Sequence, residues 1–271
     1  MDIFLRQPPQ SGFHFQRTIY RIFLAVVFLL SFLIPSLGQE IGAYKTQASG
    51  DFNQTSTWEV WDGSNWNAAN QTPGARADIY VDRLHTLRLT APEAVKNLFL
   101  FSGPGAGQKL NLNGFNMDVY GTLAGFEGVV PGTPRGAWNN QNWIGNSTNS
   151  TLTFKGESRV IVDKASWSAQ TTQSRFGVIF DPGPGQELVL QAPFKALSFR
   201  VRSGSLYQKN DASINALPCF TLSFNTETSI HGSGPFGTFT VEAGATFRSE
   251  CNSQAIHRTG TNPALLFDLQ R

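Results

Sequence analysis

Between Ala77 and Leu123 the chain reads ADIYVDRLHTLRLTAPEAVKNLFLFSGPGAGQKLNLNGFNMDVYGTL, a run of short apolar alternations cut by turn residues. Ile79 and Val81 alternate with Asp78, Tyr80 and Asp82; Leu87 and Leu89 with Thr86, Arg88 and Thr90; Leu110 and Leu112 with Asn111 and Asn113. A period of two puts one face of a strand in a core and the other in water. No piece is long enough to make a domain alone, so each must stack on its neighbours. The pattern predicts a solenoid of strands.

Further along, Thr151–Phe154, Arg159–Asp163, Phe176–Asp181, Glu187–Leu190 and Ala196–Val201 read as strands, and Asp181-Pro-Gly-Pro-Gly185 is turn chemistry that stops one sharply. No stretch shows a sustained helical period with caps, so the chain is expected to be all-β. In the last third, Val201–Tyr207, Phe224–Ile230 and Val241–Phe247 each place two large apolar residues around a small or polar turn, as does Leu89–Val95. The late copies step by about 20 residues, the length of one coil of a stacked repeat. A sandwich would need hairpin turns at short intervals, and the two-residue hairpin signal Asn-Gly occurs once, at Asn113-Gly114. The expected fold is a right-handed parallel β-helix, a single-stranded solenoid. Residues 39–76 are read as a Trp-rich N-terminal cap, and residues 77–271 as the helix, with a long loop at 124–150.

At the N-terminus, Arg17 and Arg21 precede the apolar run Ile22–Ile34, followed by Pro35 and the small residues Ser36 and Gly38. A basic region, a short apolar core and a small-x-small site make a secretory signal peptide over residues 1–38, with Gln39 as the mature start. As a helix the apolar run spans only about 20 Å, short of the roughly 30 Å of a bilayer core, which argues against a membrane span. Charged residues are only 15% of the chain, well below the roughly 25% of an average soluble domain. Without residues 1–38 the basic and acidic residues balance. Such a surface gives no electrostatic reason to expect nucleic acid as a partner. Cys219 and Cys251 are the only cysteines. In an oxidising compartment they are candidates for a disulfide, with two buried thiols as the alternative. They and the scattered His85, His231 and His257 lack the spacing of a metal site, and no cofactor is expected. The sequons at Asn53, Asn70, Asn146 and Asn149 are read as Asn/Thr-rich loops.

The opening TWEVWDGSNW, then Pro73, then ADIYVDRLHTLRLTAPEAVKNLFLF, then LNLNGFNMDVYGTL, resembles the N-terminal β-helix module of large secreted Bacteroidetes-type surface proteins exported by the type IX route. It is also similar, more distantly, to G8-like and pectin-lyase-like modules. The resemblance covers residues 44 to 125. It implies a β-helix fold and an adhesion or polysaccharide-contact role. The chain departs from the pattern in its incomplete glycine ladder and in having no recognisable C-terminal sorting domain.

Two Trp-bearing regions could stack sugar rings: Trp58, Trp61 and Trp66 in the opening, and Trp138 and Trp143 in the Gly/Pro/Asn-rich interval after Leu123. Trp66, Trp138 and Trp143 are the ligand-binding candidates; the competing reading of both regions is an aromatic cap or a self-anchored loop. Catalysis by a glycosidase needs two carboxylates about 5–9.5 Å apart. Asp78 and Asp82, four strand residues apart, are separated by about 13 Å. Asp163 and Asp181 are the remaining candidates on adjacent coils, although both also end strands, where Asp favours turns. Arg83 and His85 are read as the solvated start of an amphipathic strand. No nucleophile elbow, P-loop or dinucleotide fingerprint occurs. The expected function is a secreted or cell-surface, adhesin-like structural module contacting a polysaccharide or surface glycan. The alternatives are a β-helix polysaccharide lyase or glycoside hydrolase, and an inert stalk within a longer surface protein.

Overall fold

In the computed structural model, the described residues are 41–101, 108–126, 143–145, 149–156, 159–160, 175–190, 194–209, 222–224, 237–250, 256–257 and 266–269. Residues 1–38, Trp138, Asp163, Cys219 and Cys251 lie outside them, and with them the readings of a signal peptide and a disulfide. Among the described residues there is no α-helix, and the only helical turn is the short 3-10 turn Thr55–Thr57. The chain is all-β, and its sheets are overwhelmingly parallel.

The largest sheet runs in parallel through β1 (Tyr44–Thr46), β5 (Asp78–Val81), β8 (Asn97–Phe101), β11 (Leu123–Phe126), β14 (Arg159–Val160), β16 (Glu187–Leu190), β19 (Ser205–Gln208) and β22 (Thr246–Ser249). A second runs through β7 (Glu93–Val95), β10 (Met117–Val119), β13 (Thr151–Lys155), β15 (Gly177–Asp181), β18 (Ser198–Val201), β21 (Thr238–Val241) and β24 (Leu266–Leu269). A third holds β2 (Gly50–Asp51), β6 (Leu87–Arg88), β9 (Gln108–Asn111) and β12 (Trp143–Gly145). A fourth holds β17 (Phe194–Ala196), β20 (Leu222–Phe224) and β23 (Ile256–His257). From β5 to β13 the chain visits the first, third and second sheets in turn; from β16 to β24 it visits the first, fourth and second. From β5 onward a described strand therefore pairs with its equivalent one pass later, never with its immediate successor.

A register kept from pass to pass, with one shift between Trp143 and Ile144, turns this order into rows of like side chains. Ile79 stands beside Leu98 and Leu98 beside Leu123, while Leu87 stands beside Leu110 and Leu110 beside Ile144. In the second sheet Val95, Val119, Phe154, Phe180, Val201 and Val241 form one continuous row. Nearly all of these side chains are excluded from solvent and belong to one core cluster. Each fully buried Leu, Val or Phe contributes roughly 1.5–3 kcal/mol relative to exposure. This answers how such short strands can be stable: each row is completed by its neighbours.

Corners are fixed by amides and glycines. Asn97 Nδ2 donates to Asp78 Oδ1 at 2.7 Å, and its Oδ1 accepts from Thr122 N at 2.6 Å, joining three successive passes. Gly121 is pressed against that amide, so a Cβ there would sit 2.2 Å from Asn97 Oδ1. Asn113 adopts φ 49° and Gly114 φ 88°, with Asn113 Nδ2 donating to Leu89 O at 3.0 Å. The Asn-Gly pair thus makes a tight turn, but one that carries the chain from the third sheet to the second.

Several local expectations change. The antiparallel hairpin is in the Trp-rich opening: β3 (Trp58–Trp61) pairs antiparallel with both β1 and β4 (Trp66–Ala68). Its turn is fixed by Asp62, whose Oδ1 accepts from Ser64 N and Asn65 N at 2.7 Å each. The two N–H donors hold the Asp62 carboxyl below the usual range. β1 and β2 pair in parallel with β5 and β6, so residues 44–51 extend the parallel sheets. β12 falls within the interval expected to be loop. The segment Ala196–Val201 is two strands, because at Leu197 the chain turns from the fourth sheet into the second. The apparent repeat of about 20 residues is a coincidence of corners. Val201 pairs with Val241, a step of one full pass, whereas Phe224 lies in the fourth sheet. Asp82 through His85 form a turn, and His85 is partly buried with Nδ1 3.0 Å from Thr46 O.

Candidate binding face

Along β5, Ile79 and Val81 point into the core, so Tyr80 between them points outward. The same alternation turns Phe99 and Phe101 of β8 and Ala124 and Phe126 of β11 outward. Register places Tyr80 beside Phe99, Phe99 beside Ala124, and Phe101 beside Phe126. Tyr80 and Phe99 stack at 4.6 Å and 20°, and Phe126 meets both Tyr80 and Phe101 edge-on at 5.5 and 5.4 Å. The outer face therefore carries a second apolar cluster of Phe99, Phe101, Ala124 and Phe126, with Trp66 and Tyr80 partly buried at its margin.

The hairpin extends this face. Trp61 and Trp66 oppose each other across β3 and β4, with rings 5.4 Å apart and tilted by 51°. Lys45 of β1 lies between Glu59 of β3 and Tyr80 of β5. Its ammonium is 3.2 Å from Glu59 Oε2 and 4.8 Å above the Trp66 ring. The result is a belt of aromatic rings across adjacent strands. Trp61, Trp66 and Tyr80 are half-buried along it, with the Lys45–Glu59 ion pair between the rings and a second pair, Lys96–Asp78 at 4.0 Å, two residues from Tyr80 along β5.

The other sequence candidates are not gathered here. Trp143 opens β12 in the third sheet, and only its backbone is described. Trp58 is completely buried: its Nε1 donates to Phe52 O at 2.8 Å, and its ring meets Tyr44 and Phe52 edge-on. The opening tryptophans thus divide, one plugging the core and two facing out. Asp181 ends β15, where Ser203 Oγ donates to its Oδ1 at 2.5 Å and Arg202 Nη1 reaches Oδ2 at 3.4 Å. Its carboxylate is thereby occupied in a corner, and the partner proposed for it, Asp163, lies outside the described residues. Among the described residues, no group of three or more His, Cys, Asp or Glu is placed to hold a metal ion. No helix among them is long and apolar enough to cross a membrane.

Two more polar sites are structural in form. Lys109 of β9 is 1% exposed, and its ammonium donates to the carbonyls of Arg83 at 2.5 Å, His85 at 2.9 Å and Asp82 at 3.3 Å. Burial pulls its pKa down to about 8, against the opposing pull of the Asp82 carboxylate. On the second sheet's outer face Lys155 meets Asp118 at 2.7 Å, a hydrogen bond that raises the lysine pKa. Arg202 meets Asp181, and Arg200 meets Glu242 at 3.4 Å. That face is a ladder of opposite charges.

In comparisons with known proteins, no family model, curated protein or solved structure matches the chain. The sequence places Trp61 in the aromatic opening but singles out only Trp66 there as ligand-binding, and it does not mark Tyr80 or the phenylalanines beside them. A signal was present. In DIYV and NLFLF the aromatic residues occupy one phase of the alternation and the aliphatic residues the other, marking two different apolar faces.

Proposed function

We propose that the sheets belong to one right-handed parallel β-helix, exported to the cell surface, which acts as an adhesin-like module and contacts a glycan through its outer aromatic belt. The strand order supports the helix, because from β5 to β13 and from β16 to β24 each pass lays a strand in three sheets beside its equivalent in the pass before. The basic and apolar N-terminal run ending at Gly38 supports export. The observation that carries the glycan reading is the belt itself: Trp61 and Trp66 on the antiparallel hairpin and Tyr80 on the parallel strand β5 present partly exposed rings on one face. Flat rings offer apolar area to the C–H faces of sugars at low conformational cost, with polar edges for hydroxyl groups. The resemblance of residues 44–125 to modules of secreted surface proteins agrees with this role.

The test is a tryptophan-fluorescence titration of the purified protein against a panel of soluble polysaccharides, with each mixture assayed for shortened chains. A saturable shift that is lost in Trp66→Ala, with the polymer intact, is the expected result. Shortened chains would make the protein an enzyme instead. No shift with any polymer would leave a stalk.

A further inference from the structure

Resting on the reading of the belt as a glycan surface, we infer that its ligand is an uncharged glycan, and that Lys45 and Glu59 recognise a pair of neighbouring hydroxyl groups on it. The row crossing the belt runs Ala68, Glu59, Lys45, Tyr80, Phe99, Ala124. It holds one cation and one anion, and these are already paired at 3.2 Å, with side chains 20% and 26% exposed. The Lys45 ammonium is further held over the Trp66 ring.

An acidic sugar would have to draw that ammonium from both partners. It would then leave the Glu59 carboxylate facing a second carboxylate, and like charges so placed repel. One ion pair would be exchanged for another with a new repulsion added. An uncharged sugar makes no such demand. The carboxylate accepts from one hydroxyl while the ammonium donates to the next, and the 3.2 Å between them is on the scale of a hydrogen bond, roughly 2.7–3.2 Å, as are adjacent hydroxyl oxygens on a ring. Both contacts are charge-assisted and keep the ion pair intact. The Trp66 and Tyr80 rings on either side supply the stacking surface. Strands step by about 4.8 Å, so a sugar seated at the ion pair has an aromatic ring within one or two strands on each side.

The experiment is calorimetric titration of the full chain with two sets of polymers, neutral (xylan, mannan, mixed-linkage glucan) and acidic (polygalacturonate, alginate), each at low and high salt. The expected result is binding of a neutral polymer, with affinity changing less than about twofold with salt. It should weaken by about tenfold in both Lys45→Met and Glu59→Gln, each checked for a wild-type melting curve. Preference for an acidic polymer, with affinity falling steeply as salt rises, would overturn the inference while leaving the glycan surface standing. So would neutral-polymer binding unaffected by either well-folded variant. Binding of neither set would overturn both. The wild-type salt series decides between the charge classes even if a variant fails to fold.

Discussion

The two ends of the molecule place their aromatic residues on opposite faces. From β5 to β11, past the plug of Tyr44, Phe52 and Trp58, the interior rows are aliphatic, with Ile79, Val81, Leu98, Leu100 and Leu123 in the first sheet. There the rings of Tyr80, Phe99, Phe101 and Phe126 lie outside. From β13 onward the interior is built from Phe154, Phe176, Phe180, Phe194, Phe199, Phe224 and Phe239. Phe154, Phe180 and Phe199 stack in series at 5.9 and 6.3 Å. The outer face of those later passes is charged instead. An aromatic ring is therefore no marker of function by itself. Its phase against the aliphatic neighbours decides whether it fills the core or faces a ligand.

The largest effect should come from opening the aromatic interior. Phe180→Ala removes a ring that contacts Phe154 and Phe199 and is wholly buried. It should cost about 3–5 kcal/mol by chemical denaturation. If the two regions are separate in function, glycan affinity at a temperature where the variant is folded should be unchanged. A parallel loss of affinity would break the division.

The two regions also seal their corners differently. Near the N-terminus the turn at 82–85 is held by the buried Lys109 ammonium, and at the other end the turn at 181–186 is held by Ser203, which donates to Asp181 and accepts from Gly183 N at 3.0 Å. Lys109→Met leaves three carbonyls without their donor and should cost about 2–3 kcal/mol at pH 7, more than Ser203→Ala. The pH dependence has a definite sign. A folded pKa of about 8 lies below the roughly 10.4 of an unfolded lysine, so between these values the unfolded chain binds more protons. The contribution of Lys109 to stability therefore rises with pH across that window, by at most about 3 kcal/mol. It falls back as pH drops through 8. Denaturant titrations at pH 7.5 and pH 10 should show the wild type gaining on Lys109→Met at the higher pH; a gap that does not move would mean the three carbonyls fully offset the burial.

Much of this architecture was legible because alternation survives in single strands. Ile79-Tyr80-Val81 and Glu187–Leu190 are read correctly from pattern alone, since one buried face suffices to fix the phase. Where both faces are covered, as in Leu98–Phe101, alternation of apolar with polar vanishes, and only the alternation of aliphatic with aromatic residues marks the outer cluster. Pairing is harder still, because a parallel neighbour lies a whole pass away and pass length varies. Val95 to Val119 is 24 residues and Val201 to Val241 is 40, so a fixed-period search lands on Phe224, which belongs to another sheet. Buried donors such as Lys109 carry no sequence mark, as their partners are backbone carbonyls of an earlier turn.

The smallest effect sharpens the comparison most. Tyr207 is the one aromatic residue facing outward on β19, and charge seals it: the Arg248 guanidinium lies 3.6 Å above its ring and is anchored by Glu187 at 2.8 Å, while the hydroxyl donates to Glu250. The nearby Glu250 carboxylate raises the Tyr207 pKa above its ordinary value. Arg248 itself is half-exposed, with 54% of its side chain open to solvent, so the pair adds little to stability. Arg248→Ala should therefore leave the denaturant midpoint almost where it is in the wild type. Its informative consequence is exposure, since it uncovers a tyrosine that has no aromatic neighbour in its row. If binding needs the contiguous belt of Trp61, Trp66 and Tyr80, the newly exposed ring should leave glycan affinity unchanged. A gain in affinity would mean that any open outward ring suffices, and that the charged face at the C-terminal end is a covered version of the same surface.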